Sequence, residues 1–137
     1  MRYTHKTEYA FLCLLYLARA KTPRVSIHEI AKKERFPVAY LEKIFQRLRK
    51  AGLVAAHQGK GGGYSLSKAP GQITLRAIIE AIEGSTFDAF CEPEVRGGMV
   101  CNHFCVCALK PIWRKAKSIL DDYFDSITLK TLSDKKL

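Results

Sequence analysis

The stretch that decides the fold is SIHEIAKKERFPVAYLEKIFQRLRKAGL, residues 26–53. Ser26 with Glu29 three residues later matches a capping box, which predicts the start of a short helix. Pro37 ends that segment and opens a second helix. Four apolar residues of the second helix follow the i, i+3, i+4, i+7 spacing of one buried face: Leu41, Ile44, Phe45 and Leu48. Two short helices joined by a tight turn, the second one basic, predict a helix-turn-helix.

Working outward, two strands are predicted after this unit, over Leu53 to Gln58 and Tyr64 to Ser67. The Gly-rich turn between them, residues 59–63, carries a single lysine, Lys60. A helix-turn-helix followed by such a hairpin is a winged helix. Glycines at the tip let the backbone come close to phosphates or enter a minor groove.

Helices are predicted on both sides of this motif. Thr7 is the expected N-cap of a first helix that ends near Ala20, and Thr74 caps another over about residues 75–83. Residues 85–110 show no period and read as a long functional loop. From Pro111 onward a wide apolar stripe predicts a solitary helix that must bury its face against something: Ile112, Trp113, Ala116, Ile119, Leu120, Tyr123, Phe124 and Ile127.

The predicted fold class is therefore mainly α with a small β-hairpin wing. We expect a winged-helix DNA-binding domain at residues 1–84, a cysteine-bearing sensor loop at 85–110, and a long helix with a tail at 111–137.

The charge of the chain is concentrated in its first half. It has 23 Lys and Arg against 13 Asp and Glu, a net +10, and the whole excess lies in residues 1–68. This half is expected to bind a polyanion, either nucleic acid or an anionic membrane. The apolar run from Tyr9 to Ala18 is about half the ~20 residues that a membrane span needs. No secretory signal is visible, so a reducing cytoplasm is expected.

Four of the five cysteines lie close together in the loop: Cys91, Cys101, Cys105 and Cys107, with His103 among them. Soft thiolates select zinc, copper(I) or iron–sulfur clusters. The spacing matches neither zinc knuckles nor ferredoxin runs, so it predicts a metal or redox site without deciding the metal. Cys13 lies in the apolar first helix and is expected in the core. The chain has no phosphate loop, nucleotide fingerprint or nucleophile elbow, so we do not expect an enzyme.

The second helix of the motif and the wing are predicted to contact double-stranded DNA. The N-terminus of this second helix offers Val38, Ala39 and Tyr40 to base edges, and Glu42, Lys43 and Arg47 follow along the helix. A glutamate can accept a hydrogen bond from a cytosine amino group, and lysine or arginine suits phosphate or guanine. Ser26 and His28 open the preceding helix near the DNA backbone. The alternative is that these charges only solvate a surface.

Several segments resemble the IscR/NsrR family (the Rrf-two, or Rrf2, superfamily) of bacterial winged-helix regulators. They are the opening Met1-Arg2-Tyr3-Thr4, Tyr40 to Phe45, Leu48 to Val54, Gly61 to Leu66, Ile73 to Leu75 and Ala81 to Gly84. The resemblance covers residues 1–129. It implies a homodimer, formed through residues 111–129, on a DNA operator. It also implies that Gln58, with Lys60 beside it, takes the place of an arginine that probes the minor groove.

The resemblance further implies an iron–sulfur cluster, with two or four irons, on three loop cysteines. The matching positions are Cys91, Cys101 and Cys107. The gap from Cys91 to Cys101 is longer than usual, and Cys105 is extra. Family members that use an acidic residue of the first helix as fourth ligand place it where Glu8 stands. Cys105 is the chief alternative fourth ligand, with His103 and His5 behind it. A regulator of the same fold using thiol–disulfide switching or zinc is the alternative function.

Overall fold

The computed structural model describes residues 3–89, 92, 97–102 and 106–135. The helices of these residues are α1 (His5–Arg19), α2 (Ile27–Glu34), α3 (Val38–Lys50), α4 (Leu75–Glu83), α5 (Leu109–Asp125) and α6 (Leu129–Ser133). A two-stranded antiparallel sheet is formed by β1 (Val54–His57) and β2 (Gly63–Leu66), and a 3-10 turn spans Pro70–Gln72. The predicted fold class, mainly α with a hairpin wing, is confirmed.

The helix-turn-helix is built by its local signals. The Ser26 hydroxyl accepts a hydrogen bond from the Glu29 amide at 3.1 Å, which caps α2. Arg35 ends α2 in the left-handed conformation, with φ +58°, and Pro37 then precedes α3. Gly52 takes φ +73° just after α3, where the Leu53 amide donates to the Leu48 carbonyl.

The wing is a regular hairpin that is also tied to the segment before α2. Its register pairs Val54 with Leu66 and His57 with Gly63. Val25 extends the sheet, since its amide and carbonyl bond Tyr64 at 2.9 and 2.7 Å. Gly63 is required here: it has φ +143°, and a Cβ would lie 2.5 Å from the Val25 carbonyl oxygen. The wing therefore has a fixed base against the helix-turn-helix.

One core unites the helices around α1, which packs against α3, α4 and α6. The buried face predicted for α3 is confirmed, because all four of its apolar residues are buried. The largest fully buried side chains are Phe45, Leu14, Ile30, Leu41, Leu48, Ile73, Ile78 and Leu129. The core lies directly behind α3 and therefore sets the outward face of that helix.

The prediction that Thr7 caps α1 is wrong. The N-cap is Thr4, and Thr7 is a buried residue inside the helix. The hydroxyls of both threonines donate to Glu83 Oε1 at 2.6 Å. The physical reason is a tertiary contact across more than 70 residues, which no local pattern in the first turn announces.

The C-terminal region is not a solitary helix. After α5 the chain turns at Thr128, whose hydroxyl caps α6. The Leu129 amide donates to the Ile73 carbonyl and the Leu75 amide to the Ile127 carbonyl, each at 2.8 Å. Leu129 is fully buried in the common core. The end of the region assigned to a helix and tail thus completes the winged-helix body. None of the described helices is long and apolar enough to cross a bilayer.

Candidate nucleic-acid interface and cysteine segment

The outward face of α3 is polar, because its apolar face is buried in the core. Of the residues predicted to contact DNA, Ser26, Val38 and Tyr40 are half-buried. The others are exposed: His28, Ala39, Glu42, Lys43, Arg47, Gln58 and Lys60. This face offers donors, acceptors and positive charge to a ligand, as base-edge and phosphate contacts require.

The N-terminus of α3 is held by an aromatic cluster that joins it to α1. The Tyr9 ring lies 4.2 Å from Phe36 and 5.4 Å from Tyr40 between centroids. An open groove of about 540 Å³ lies beside this cluster, lined by His5, Tyr9, Pro37, Ala39, Tyr40 and Lys43. Tyr40 is thus anchored by packing as well as placed at the surface, a double position that helical periodicity alone does not predict.

Arg47 has a partner within the chain. Its Nη1 donates to the Ile82 carbonyl of α4 at 2.6 Å, and it lies beside Lys50 and Glu83 in a shallow groove. The other predicted cation of α3, Lys43, has no hydrogen bond or ion pair among the described residues. Arg47 and Lys43 therefore have different surroundings, although both lie on α3.

The tip of the wing is a closed turn with one basic side chain. The Gly62 amide donates to the Gly59 carbonyl at 2.9 Å. Below the tip, His57 Nε2 lies 2.8 Å from Ser65 Oγ and ties the two strands. Gln58 and Lys60 are exposed beyond this tie. Lys60 is therefore the group by which the tip can meet a phosphate.

Two of the predicted thiol ligands are described, Cys101 and Cys107, and both are free and half-buried. Cys91, Cys105 and His103 lie outside the described residues. Cys13 is fully buried, and burial, assisted by the negative charge of Glu34, raises the pKa of its thiol to about 12. A thiol held in its protonated form is a poor metal ligand, so the expectation that Cys13 belongs to the core is confirmed.

The described donors fit a thiolate-bound cluster in their chemistry. Cys101 and Cys107 are free thiols with partial access to solvent. Glu8 projects from the first turn of α1 with 72% of its side chain exposed, and His5 Nδ1 lies 3.5 Å from its carboxylate. Within residues 3–89, 92, 97–102 and 106–135, no three metal-binding side chains come together.

Glu8 stands at the rim of an apolar groove that the sequence did not predict. The groove is about 560 Å³ in volume and lies between α1, α4 and the C-terminal helices. It is lined by Tyr3, Thr7, Glu8, Phe11, Leu12, Leu75, Ile79, Phe124 and Leu132. Because Glu8 lies at the edge of this groove and not inside it, its carboxylate remains accessible to solvent and to ligands.

A polar junction joins α1, α4 and α5, and sequence reasoning missed it. Glu83 accepts from the Thr4 amide at 3.0 Å as well as from two threonine hydroxyls. Burial opposes ionisation of this carboxyl. The hydrogen bonds from Thr4 and Thr7, aided by the charge of Lys6, outweigh burial and hold the pKa of Glu83 below its usual value.

The same junction continues into α5 through Thr86 and Asp121. The Thr86 hydroxyl donates to Asp121, Lys117 donates to the same carboxylate at 3.1 Å, and Arg76 lies 3.5 Å away. Burial would raise the pKa of Asp121, but the bonds from Thr86 and Lys117 and the two nearby cations lower it. The one sequence signal was the (i, i+4) pair of Lys117 and Asp121.

In contrast to α3, α5 leaves about half of its apolar stripe exposed, while Ala116, Leu120 and Phe124 are half-buried. Asp121 is its one buried residue. Large apolar side chains of this helix are 40–60% exposed: Leu109, Ile112, Trp113, Ile119 and Tyr123. The prediction that this stripe needs a partner is consistent with its exposure.

Comparison with known proteins places this architecture. A family model described as Rrf2, iron-dependent transcriptional regulator, matches residues 3–135. The HTH-type transcriptional regulator IscR of Cronobacter sakazakii is 35% identical over 130 residues, covering 94% of this chain and 78% of its own. Both the family model and this relative are described as transcriptional regulators.

Solved structures show the same fold. CymR of B. subtilis, described as its global cysteine regulator, superposes with a TM-score of 0.78 at 25% identity, over 100% of this chain and 99% of CymR. IscR of T. potens gives a TM-score of 0.70 at 29% identity, over 96% and 85% of the two chains. With its winged helix and a family match over residues 3–135, the chain belongs to the Rrf2 family of transcriptional regulators.

Proposed function

We propose that this transcriptional regulator binds operator DNA as a cytoplasmic homodimer and senses redox state, nitric oxide or iron–sulfur status through a cluster held by Cys91, Cys101, Cys107 and Glu8. The observation that carries the sensing role is the pair of free, half-buried thiols, Cys101 and Cys107, in the segment leading into α5. They lie in a chain whose family is described as iron-dependent.

The DNA contacts follow from the exposed face of α3 and the wing. Ala39 and Glu42 lie near the start of α3, where base edges are read, and Lys43 supplies a cation that has no ion pair among the described residues. Ser26 uses its hydroxyl to cap α2, so His28 is the better placed of the two to meet the DNA backbone. Lys60 reaches a second phosphate from the wing, with Gln58 beside it.

The homodimer is supported by the exposed part of the apolar stripe of α5. Exposed apolar surface of this extent marks an interaction site. The exposed charges of α5 also run opposite to those that the helix dipole favours, with Arg114 and Lys115 in its first half and Asp122 in its second. Two antiparallel copies would place each basic half against an acidic half. An isologous two-fold contact of this kind is the commonest oligomer geometry.

The sensing role assigns separate tasks to the residues of the site. A bound iron–sulfur cluster supplies chemistry that oxygen, nitric oxide or iron shortage can disturb. Cys101 and Cys107 would tie their segment to the root of α5, and Glu8 would supply an oxygen ligand from α1 of the same or the partner subunit. Because carboxylate oxygen binds iron more weakly than thiolate, Glu8 would be the weakest and most readily exchanged of these ligands.

Thiol–disulfide switching, or bound zinc, is the second candidate. It is favoured by the likeness to CymR of Staphylococcus aureus, a structure of which is described as an oxidized form. The same free thiols, Cys101 and Cys107, would then form or lose a disulfide or hold zinc. Both alternatives give colourless protein, which separates them from an iron–sulfur cluster.

The test is anaerobic purification followed by iron and acid-labile sulfide analysis and visible spectroscopy. We expect a coloured protein that loses its iron when Cys91, Cys101 or Cys107 is replaced by alanine. Cys13→Ala is the matched control, because the same thiol is removed from the core, and it should keep its colour. Glu8→Gln should alter the spectrum, and Cys105→Ala should not.

A colourless wild-type protein without iron would contradict the cluster. An unchanged spectrum in Glu8→Gln with a changed one in Cys105→Ala would move the fourth ligand to Cys105.

A further inference from the structure

We propose that Arg47 is a positioning residue that ties the recognition helix α3 to the α4 terminus, residues 82–86. Through this tie, the presence or loss of a cluster in the cysteine segment, from Cys91 to Cys107, affects the DNA-binding face. This deepens the proposed function and rests on it. Arg47 then acts on the angle of α3, although its charge and place on the helix had suggested a DNA contact.

The α3 side of the connection is one short hydrogen bond. Arg47 Nη1 donates to the Ile82 carbonyl at 2.6 Å, 35 residues away in sequence. Ile82 is in the last turn of α4, where carbonyls have no partner within the helix. A guanidinium at this end also meets the negative pole of the helix dipole. Moving the end of α4 therefore moves or breaks the contact that holds α3.

On the side of the candidate ligands, the next residue of the α4 terminus holds α1. Glu83 accepts the Thr4 and Thr7 hydroxyls and the Thr4 amide, all in the first turn of α1. Thr7 directly precedes Glu8 in the chain. A shift of Glu8 toward or away from the cysteine segment thus acts on the same end of α4 that Arg47 holds.

The α4 terminus is also fastened to α5, and in the sequence it leads into the cysteine segment. Thr86 is 1% exposed, donates its hydroxyl to Asp121, and its carbonyl accepts from the Tyr3 hydroxyl at 3.1 Å. Thr86 lies five residues before Cys91. Because buried polar groups that lose their partners cost free energy, this part of the junction moves as a unit with its neighbours.

The experiment compares DNA affinity in two states of the wild type and of Arg47→Met. The states are protein reconstituted anaerobically with iron and sulfide, and the same protein after metal chelation under reducing conditions. The probe is a duplex that the wild type enriches from a random-sequence library, followed by fluorescence anisotropy. Trp113 is the one tryptophan of the chain, and its ring centroid lies 6.1 Å from that of Phe87, which precedes the cysteine segment in the sequence. Its fluorescence emission therefore serves as the signal for changes on the sensor side.

We expect the wild-type Kd to differ at least about fivefold between the states, and the Kd of Arg47→Met to differ by less than about twofold. The change in Trp113 emission should persist in the variant, because the sensor side is intact. Lys50→Met is the matched control: it removes the same charge from α3, one turn further on, and should keep the wild-type ratio. Thr86→Val breaks the connection at its other end and should reduce the ratio as well.

If Arg47→Met keeps the wild-type ratio, or if Lys50→Met loses it equally, the positioning role is overturned. A wild type whose affinity is the same in both states contradicts the proposed sensing function, and the positioning role with it. The wild type alone reports that failure, so the two are distinguishable. Thermal unfolding of each variant shows that it is folded, and Thr86→Val carries the test if Arg47→Met is not.

Discussion

Apolar residues are buried in the winged-helix body, which consists of α1 to α4, the wing and α6, whereas many of those on α5 are exposed. In the body, Ile30 and Phe45 are fully buried, and α1 packs against α3, α4 and the C-terminal helix α6. In α5, Ile119 and Tyr123 are 55% and 60% exposed although their spacing is just as regular. The same helical period thus has two outcomes. Periodicity predicts that a face needs cover, and the fold determines whether this chain supplies it.

Charge also divides the chain, but at a different place along the sequence. The excess of +10 lies in residues 1–68, which form α1 to α3 and the wing, while residues 69–137 are neutral. The basic first half suits DNA, and the exposed apolar side chains of α5, in the neutral half, suit a second copy. The polar junction of Glu83, Thr86 and Asp121 is where the winged-helix body and α5 are joined.

The largest effect is expected from truncating the same residue type in each region. Ile30→Ala should lower the free energy of unfolding by about 2–5 kcal/mol, because it leaves a cavity in a closed core. Ile119→Ala should change it by less than about 0.5 kcal/mol in dilute protein, where α5 is already solvated. Denaturant unfolding over a range of protein concentrations measures both. Equal losses in the two variants would show that α5 is covered within its own chain.

A second prediction concerns self-association. Ile119→Asp and Tyr123→Asp should raise the dimer dissociation constant more than about tenfold, roughly 1.4 kcal/mol, because each buries a charge in the contact. Ser118→Asp is the control, since it adds the same charge on the opposite side of α5. Sedimentation equilibrium gives the constants. A dimer unaffected by all three changes would place the contact elsewhere.

A smaller effect is expected from the junction as the pH falls. The pKa of Glu83 is lowered, so in acid the unfolded chain takes up a proton, near pH ~4.3, that the folded chain still resists. The stability due to this group is therefore present at neutral pH and lost as the pH falls through its folded pKa.

In Glu83→Gln, the free energy of unfolding should consequently fall less steeply below about pH 5. The difference in slope should correspond to the uptake of up to about one proton per chain on unfolding. Urea unfolding at a series of pH values measures the slope. Glu42→Gln, which removes an exposed carboxylate without a hydrogen-bond partner among the described residues, should keep the wild-type slope. If the free energy of unfolding of Glu83→Gln changes with pH in parallel with that of the wild type, Glu83 does not contribute to the pH dependence of stability.

The smallest effect is expected at the wing. Lys60→Ala should reduce the slope of log affinity against log salt by about 0.9, the value of one phosphate contact. Lys130→Ala removes the same charge from α6, in the neutral half, and should leave the slope unchanged. DNA titrations at several salt concentrations compare them. If both variants lose the same slope, net charge and not position governs DNA binding.

Short-range features of the fold were predictable because short-range physics makes them. The caps at Ser26 and Thr74, the turn at Gly52 and the register of the hairpin follow from neighbours within a few residues. The exposed face of α3 followed too, since its buried face was plain. For the candidate site, sequence supplied Glu8, Cys101 and Cys107 but not the groove beside Glu8.

Contacts between distant segments escaped prediction for the opposite reason. The partner of Thr7 lies 76 residues away and that of Arg47 lies 35 away, and neither follows from residue type or spacing. The short helix α6 was missed because its five residues are too few to show a period. A threonine in a first turn resembles a cap until its partner is known, and no local pattern shows that an arginine of the recognition helix also bonds α4.

By itself the sequence determined the winged helix, the placement of charge in its first half, the cluster of thiols and the apolar stripe of α5. Those features depend on local propensity, periodicity and composition, which are written residue by residue. Only the tertiary structure decided that Glu83 holds the start of α1, that Arg47 turns to α4, and that α6 completes the core while α5 stays open. These depend on which distant surfaces meet, and that is settled by the packing of the whole chain.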